Sequence, residues 1–164
     1  MNVSADGLDA LISAMDELER NADEIAKMAM YKGAGMLADE IRRNLNSLPV
    51  QEDANGEAPW GTPEHRLYGV TSAQKQDLLD GFGISRMQDE GGAITVSVGF
   101  HGNGSTKTPR HPDGVPNAQL MRAVESGSSF RQKRPTVRPA VNKLKKSIEQ
   151  AMLEAVEEEI RKEI

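Results

Sequence analysis

The chain has 164 residues, a formal net charge of −5 and no cysteine, which excludes a disulfide framework and a thiolate zinc site. Hydrophobic residues make up 37% of it, below the roughly 45–50% that globular domains typically have on a slightly broader count. No apolar run approaches the ~18 residues that a membrane span needs. We therefore predict a single domain over residues 1–164, with a core so small that copies or partners are needed to bury enough surface.

Residues 4–48 are predicted to form a long N-terminal helix. Its apolar residues recur at alternating steps of three and four, which places them on one stripe of a helix: Leu8, Leu11, Met15, Leu18, Ala22, Ile25 and Ala29. Gly33 and Gly35 interrupt the stripe, and a glycine costs about 1 kcal/mol in a helix interior. We therefore expect the helix either to break near these glycines or to project from the body of the protein. Pro49 ends it.

Two glycine- and proline-rich stretches, 49–70 and 101–116, are predicted to be extended loops, longer than those of most compact domains. A short helix over 71–80 follows the first loop. Phe82 and Ile84 begin an alternating strand, residues 89–92 form a turn, and a second strand alternates from Ile94 to Phe100. These strands predict a small antiparallel β-sheet between the two loops.

The C-terminal part is predicted to be helical. A short helix begins at Asn117 and stops at Gly127, a residue that commonly ends helices. Pro139 fits the first turn of a long C-terminal helix. The predicted elements are therefore a long helix at each end of the chain and a small sheet between them.

Charge is strongly segregated along the chain. Residues 1–58 hold 12 acids and five bases, whereas residues 131–146, hereafter the basic segment, hold seven bases and no acid: Arg131, Lys133, Arg134, Arg138, Lys143, Lys145 and Lys146. Such a cluster is suited to phosphates of nucleic acid, which it would bind without reading sequence, or to acidic surfaces of neighbouring subunits. A solvated helix start is the third interpretation.

No residues form a recognisable catalytic or cofactor site. His65, His101 and His111 lie in or beside glycine- or proline-rich loops without metal-ligand spacing, which indicates surface histidines. In the glycine-rich stretch 99–107, Lys107 is displaced from the position that a phosphate loop requires, and no helix can follow promptly. The serines around Gly127 do not form a nucleophile elbow. We predict no metal, no cofactor and no enzymatic activity; an enzyme would need a pocket holding His101 or His111 beside a carboxylate.

Residues 70–164 resemble the head–tail joining, or tail-completion, proteins of tailed bacteriophages and prophages. In that family a short helix ends in a Glu/Tyr-x-Gly-Thr/Ser turn, and an Arg/Lys-x-Pro-Phe-x-Arg-Pro-Ala segment leads into the last helix. The stretches 124–128 and 133–140 are similar to these two motifs, and the matching residues are Glu125, Gly127, Pro135, Arg138 and Pro139. Thr136 stands where the family usually has an aromatic residue.

The resemblance implies an α+β fold, with a long N-terminal helix, a small antiparallel β-sheet and a long C-terminal helix packed on the sheet. It also implies a non-enzymatic structural protein of the virion neck, assembled in the cytoplasm of a bacterial host and not in a membrane. Members form a ring, usually six-fold, between the head connector on the portal side and the tail tube or tail terminator. DNA passes through the ring without sequence-specific contacts, and loops 49–70 and 101–116 would order on assembly. The alternative is a nucleic-acid-binding module that uses the basic segment.

Overall fold

A computed structural model describes residues 5–163, with side chains described from 12 to 162. Ser4 and the side chains of Leu8 and Leu11 therefore lie outside the described residues. The described part contains helices and short antiparallel strands, which confirms the α+β class: α1 (Ala5–Asn46), α2 (Ser72–Asp80), β1 (Phe82–Ile84), β2 (Gln88–Glu90), β3 (Ala93–Thr95), β4 (Val98–Phe100), α3 (Asn117–Ser126) and α4 (Val137–Glu163).

Helix α1 runs unbroken through both glycines, so of the two alternatives the break near Gly33 and Gly35 was wrong. At about 1.5 Å per residue it is about 63 Å long. A side chain at Gly33 would meet the Met152 Sδ atom at 2.7 Å and Ile148 Cγ2 at 3.0 Å. Gly33 therefore marks close packing of α1 against α4, and not a helix end.

Alanine substitutions at Gly35 and Gly33 should differ in their effect on stability. Nothing lies within 4 Å of a Cβ placed on Gly35, so Gly35→Ala should raise the free energy of unfolding by about 0.5–1 kcal/mol through helix propensity and reduced backbone entropy. Gly33→Ala should raise the free energy of unfolding by clearly less, because the Met152 side chain has to move to make room for the new methyl group. Urea denaturation of both variants would measure this, and an equal gain at the two positions would contradict the close approach of α4 at Gly33.

The four strands form one long antiparallel hairpin with an irregularity in its middle. Phe82 pairs with Phe100 at the base, and Gln88 pairs with Thr95 nearer the tip. Between these paired stretches two residues, 86 and 87, oppose the single residue 96, which is the count of a β-bulge. The predicted strand from Ile94 to Phe100 is therefore divided into β3 and β4.

Helix α4 packs along α1, antiparallel to it, and Val137 in its first turn packs against the apolar core. The main partner of the C-terminal helix is therefore α1 and not the sheet, and the helices that contact the strands are chiefly α1 and, at β4, α3. The apolar core lies where α1 meets α2, β1 and α3, and it includes the fully buried side chains of Leu45 and Leu78. A capping box between Thr71 and Gln74 begins α2 where the sequence predicts it.

Candidate subunit interface

The start of α4 is capped by a carboxylate from another helix. Glu125, near the end of α3, accepts hydrogen bonds from the backbone N–H groups of Thr136 at 2.6 Å, Val137 at 2.9 Å and Arg138 at 2.9 Å. The first N–H groups of a helix have no partner within it, and they carry the positive end of the helix dipole. One side chain thus satisfies three of these donors and ties α4 to α3.

The environment of Glu125 sets its protonation. Partial burial by itself would raise the pKa of this carboxyl, but the hydrogen bonds from Val137, Thr136 and Arg138 outweigh burial and hold the pKa below its ordinary value. The group therefore stays ionised at neutral pH and accepts all three hydrogen bonds.

Two arginines of the basic segment bind the backbone of loop 49–70. The Arg131 guanidinium donates to the carbonyl oxygen of Gly69, and Arg134 Nε donates to the carbonyl oxygen of Tyr68 at 3.0 Å. Burial lowers the pKa of Arg131. Backbone hydrogen bonds from Leu67 to Phe130 and from Gln132 to Leu67 complete the attachment, so these two cations hold a loop in place.

A third cation of the segment, Lys143, is engaged with α1. Its Nζ donates to Glu40 Oε1 at 2.7 Å, while Arg43 contacts Glu40 Oε2 at 2.9 Å. The Glu40 side chain is only 7% exposed. The hydrogen bond from Lys143 outweighs the effect of burial and holds the pKa of Glu40 below its ordinary value. This pair joins two helices of one chain across 103 positions of sequence.

The remaining four cations of the basic segment are exposed: Lys133, Arg138, Lys145 and Lys146. Arg138 adds a favourable charge interaction with Glu125, and within the described residues the ammonium groups of the three lysines carry no hydrogen bond or ion pair. Arg138 and Lys145 are seven positions apart on α4, so they lie on the same side of the helix. The cluster predicted from sequence is therefore divided into three cations with structural contacts and four available to a partner.

A surface cavity of about 490 Å³ adjoins this region, at the turn between α3 and α4. Three cations, Arg66, Arg131 and Lys133, lie around it together with Ser126 and Ser128. Gly127 forms the turn with a positive φ of 73°, and a side chain there would meet the backbone of Lys133 at 2.8 Å. The positive φ and the close approach to Lys133 explain why a glycine occupies position 127, where the sequence predicts that the helix stops.

The first part of α1 carries an apolar stripe with no partner among the described residues. Contacts of Gly33 with Ile148 and of Glu40 with Lys143 fix the antiparallel register, and continuing it places the end of α4 beside about residue 20 of α1. Before that point Ile12 is 50% and Met15 is 64% exposed. A shallow groove follows these side chains and is flanked by the acids Asp16 and Glu19. This is an apolar surface with an acidic border.

Two types of site are missing from the part of the chain that the structure describes. Residues 12–162 contain no group of three His, Asp or Glu side chains placed to hold a metal ion. Among the helices described there, none combines the length and the apolar character that crossing a bilayer requires.

Glu125 and the basic segment were predicted from the sequence, but their contacts were not. The exposure of Trp60 was not predicted either, because exposure of one aromatic side chain in a loop leaves no periodic signal. The proximity of Glu40 to Lys143 also had no local signal, since the two residues are far apart in sequence.

The chain matches the family model described as "Bacteriophage HK97-gp10, putative tail-component" over residues 9–104. This match covers more than half of the chain and extends from α1 through the hairpin. The family-like motif at 124–140 lies outside it, so the assignment of that motif as a family signature stays a prediction. Neither a curated protein nor a solved structure matches the chain.

Proposed function

Since this chain belongs to the HK97-gp10-like family of phage tail components, we propose that it is a non-enzymatic subunit of the virion neck. In this role copies form a closed ring, six-fold as the resemblance implies, that completes the tail or joins it to the head. Its neighbours are the connector protein on the portal side and the tail tube or tail terminator protein. DNA passes through the ring without sequence-specific contacts, and assembly takes place in the host cytoplasm.

The observation that carries this proposal is the uncovered apolar stripe at the start of α1. The same stripe is buried farther along, where Ile25 and Ala29 face α4. Exposed apolar surface rimmed by polar groups is typical of protein–protein interaction sites. A neighbouring subunit that covers Ile12 and Met15 would bury the part of the α1 stripe that α4 leaves exposed.

Charge supports contact between unlike surfaces of two copies. Residues 12–24 hold five acids and one base, whereas the exposed side of α4 presents Arg138, Lys145 and Lys146. When one patch meets a different patch on the next copy, repetition generates a ring if the rotation closes. Opposite charges on the two patches favour this head-to-tail arrangement over a face-to-face dimer.

Cryo-electron microscopy of purified particles tests the proposed location. We expect density for this protein between the head and the tail, with several copies around the axis that DNA follows. Mass spectrometry of the same particles should detect the protein. Its presence in the host cytoplasm together with its absence from particles and tails would contradict the proposal.

A charge placed on the stripe should prevent assembly without unfolding the chain. We expect Met15→Glu to abolish or strongly weaken self-association in sedimentation velocity, because a neighbour that covers the stripe would then have to bury a carboxylate among apolar side chains. The thermal midpoint of the monomer should stay unchanged, since Met15 is exposed. Ser13→Glu is the matched control, as it adds the same charge about 200° around the helix. Equal association of both variants would show that the stripe is not an interface.

The alternative is a nucleic-acid-binding module, and one observation favours it: the cavity near Gly127 is bordered by three cations, Arg66, Arg131 and Lys133. The isolated protein would then bind duplex DNA with an affinity that falls steeply as salt rises. Unchanged electrophoretic mobility of DNA at low salt would exclude this function.

A further inference from the structure

The only tryptophan of the chain is almost completely exposed. Trp60 lies in loop 49–70 with 90% of its surface accessible. Large aromatic side chains contribute about 150–250 Å² of buried area when they are covered. Tryptophan is also among the residue types that most often dominate the binding energy of interfaces. An exposed tryptophan is therefore an unusual placement that suggests a partner surface.

The local backbone holds Trp60 in a fixed position. The next residue, Gly61, approaches the carbonyl of Phe130 so closely that a Cβ would lie 2.5 Å from its oxygen. Beyond it, Thr62 and His65 form a turn in which each residue donates its N–H to the other. The loop thus presents the indole from a restrained position, which reduces the entropy lost when it binds.

An apolar cleft of about 310 Å³ opens on another part of the molecule, between the hairpin, one side of α3 and the start of α4. Its floor is formed by apolar side chains of the core and the sheet: Ile41, Phe82, Val98, Phe100, Met121 and Val137. Ala118 lies at its edge, and its charged lining residues are Arg122, Arg138 and Glu125. The Glu125 carboxylate is already hydrogen-bonded to the start of α4, so the two arginines are the charges that remain for a partner. We define this site as the α3–α4 cleft.

Charges around the tryptophan and around the cleft are opposite. Residues 51–65 contain four acids and no lysine or arginine. Two of the acids, Glu57 and Glu64, flank Trp60, and their carboxylates have no hydrogen bond or ion pair within the described residues. The cleft offers Arg122 and Arg138 as partners for them. Arginine also interacts favourably with the face of an indole ring.

We propose that Trp60 of one copy inserts into the α3–α4 cleft of a second copy of this chain. The indole covers the apolar floor, while Glu57 and Glu64 approach Arg122 and Arg138. The two surfaces differ, so the contact is heterologous and repeats from copy to copy. This inference rests on the proposed assembly into a ring and names one of the contacts that would hold it together.

The test uses two full-length variants that each damage one side of the contact. Trp60→Ala removes the inserted side chain, and Ala118→Phe fills the cleft from an exposed position. We expect each variant alone to self-associate at least about tenfold more weakly than wild type in sedimentation equilibrium. Phe130→Ala is the control, because it removes another exposed aromatic side chain, and it should leave the association unchanged.

Mixing the two variants tests the contact directly, because each retains the surface that the other lacks. The Trp60→Ala variant has no tryptophan, so the emission of a mixture comes only from Trp60 of the Ala118→Phe variant. Titration with the Trp60→Ala variant should shift that emission to shorter wavelength and yield a species containing both variants.

One contrary outcome is that the wild-type protein assembles while the emission wavelength of Trp60 stays that of an exposed indole. That result would overturn this inference and leave the ring proposal intact. A wild type that remains monomeric at every concentration would overturn the inference as well, and the absence of the protein from particles would decide separately against the proposed function.

Discussion

Leu45→Ala should lower the free energy of unfolding by about 3 kcal/mol, the typical cost of truncating a fully buried leucine. Leu45 is completely inaccessible and belongs to the core that α1 forms with α2, β1 and α3. The loss combines the apolar area returned to water with the cavity left behind. Urea denaturation followed by circular dichroism would measure it.

Ile12→Ala is the matched control on the same helix, because Ile12 lies on the exposed part of the stripe. We expect its free energy of unfolding to stay within about 0.5 kcal/mol of wild type, as for most surface substitutions. Similar losses at residues 12 and 45 would contradict the placement of the core at the C-terminal part of α1.

Glu125→Ala should lower the free energy of unfolding by about 2 kcal/mol. The substitution removes the acceptor for three backbone N–H groups at the start of α4, and loss of a helix cap or of a hydrogen bond to a charged group costs about 1–2 kcal/mol each. Chemical denaturation of the variant measures the effect. Glu149→Ala, at an exposed position on α4, should change stability little.

The contribution of Glu125 should also depend on pH. Its pKa in the folded protein lies below the ordinary value of 4.5, so the stability it contributes is present above pH 4.5 and disappears as pH falls through the folded value. Glu125→Gln keeps an acceptor oxygen but cannot ionise. The difference in stability between wild type and this variant should therefore shrink on acidification below pH 4.5. A difference independent of pH would contradict the ionised cap.

Elements with strong local signals were predictable from sequence. Thr71 and Gln74 begin α2 through a capping box, and Gly127 ends α3 with a positive φ. In both cases the determining atoms lie within a few positions of each other, so residue type is sufficient. The family assignment was also correct, although the match covers residues 9–104 instead of the C-terminal motif.

Features that depend on distant residues were not predictable. Gly33 has a low helix propensity, which suggested a break, but Met152 and Ile148 pack where a side chain would be. Likewise, the composition of 131–146 indicated one basic surface. Arg131, Arg134 and Lys143 instead have partners 62 to 103 positions away, and no local pattern carries that information.

The pairing of α1 with α4 also has a consequence for how the chain folds. Glu40 meets Lys143 across 103 positions, and α4 follows every other described element. During synthesis the part of the α1 stripe that α4 covers, which includes Ile25 and Ala29, therefore stays exposed until α4 has left the ribosome. Contacts between such distant residues slow folding, and apolar surface exposed in the meantime promotes premature association.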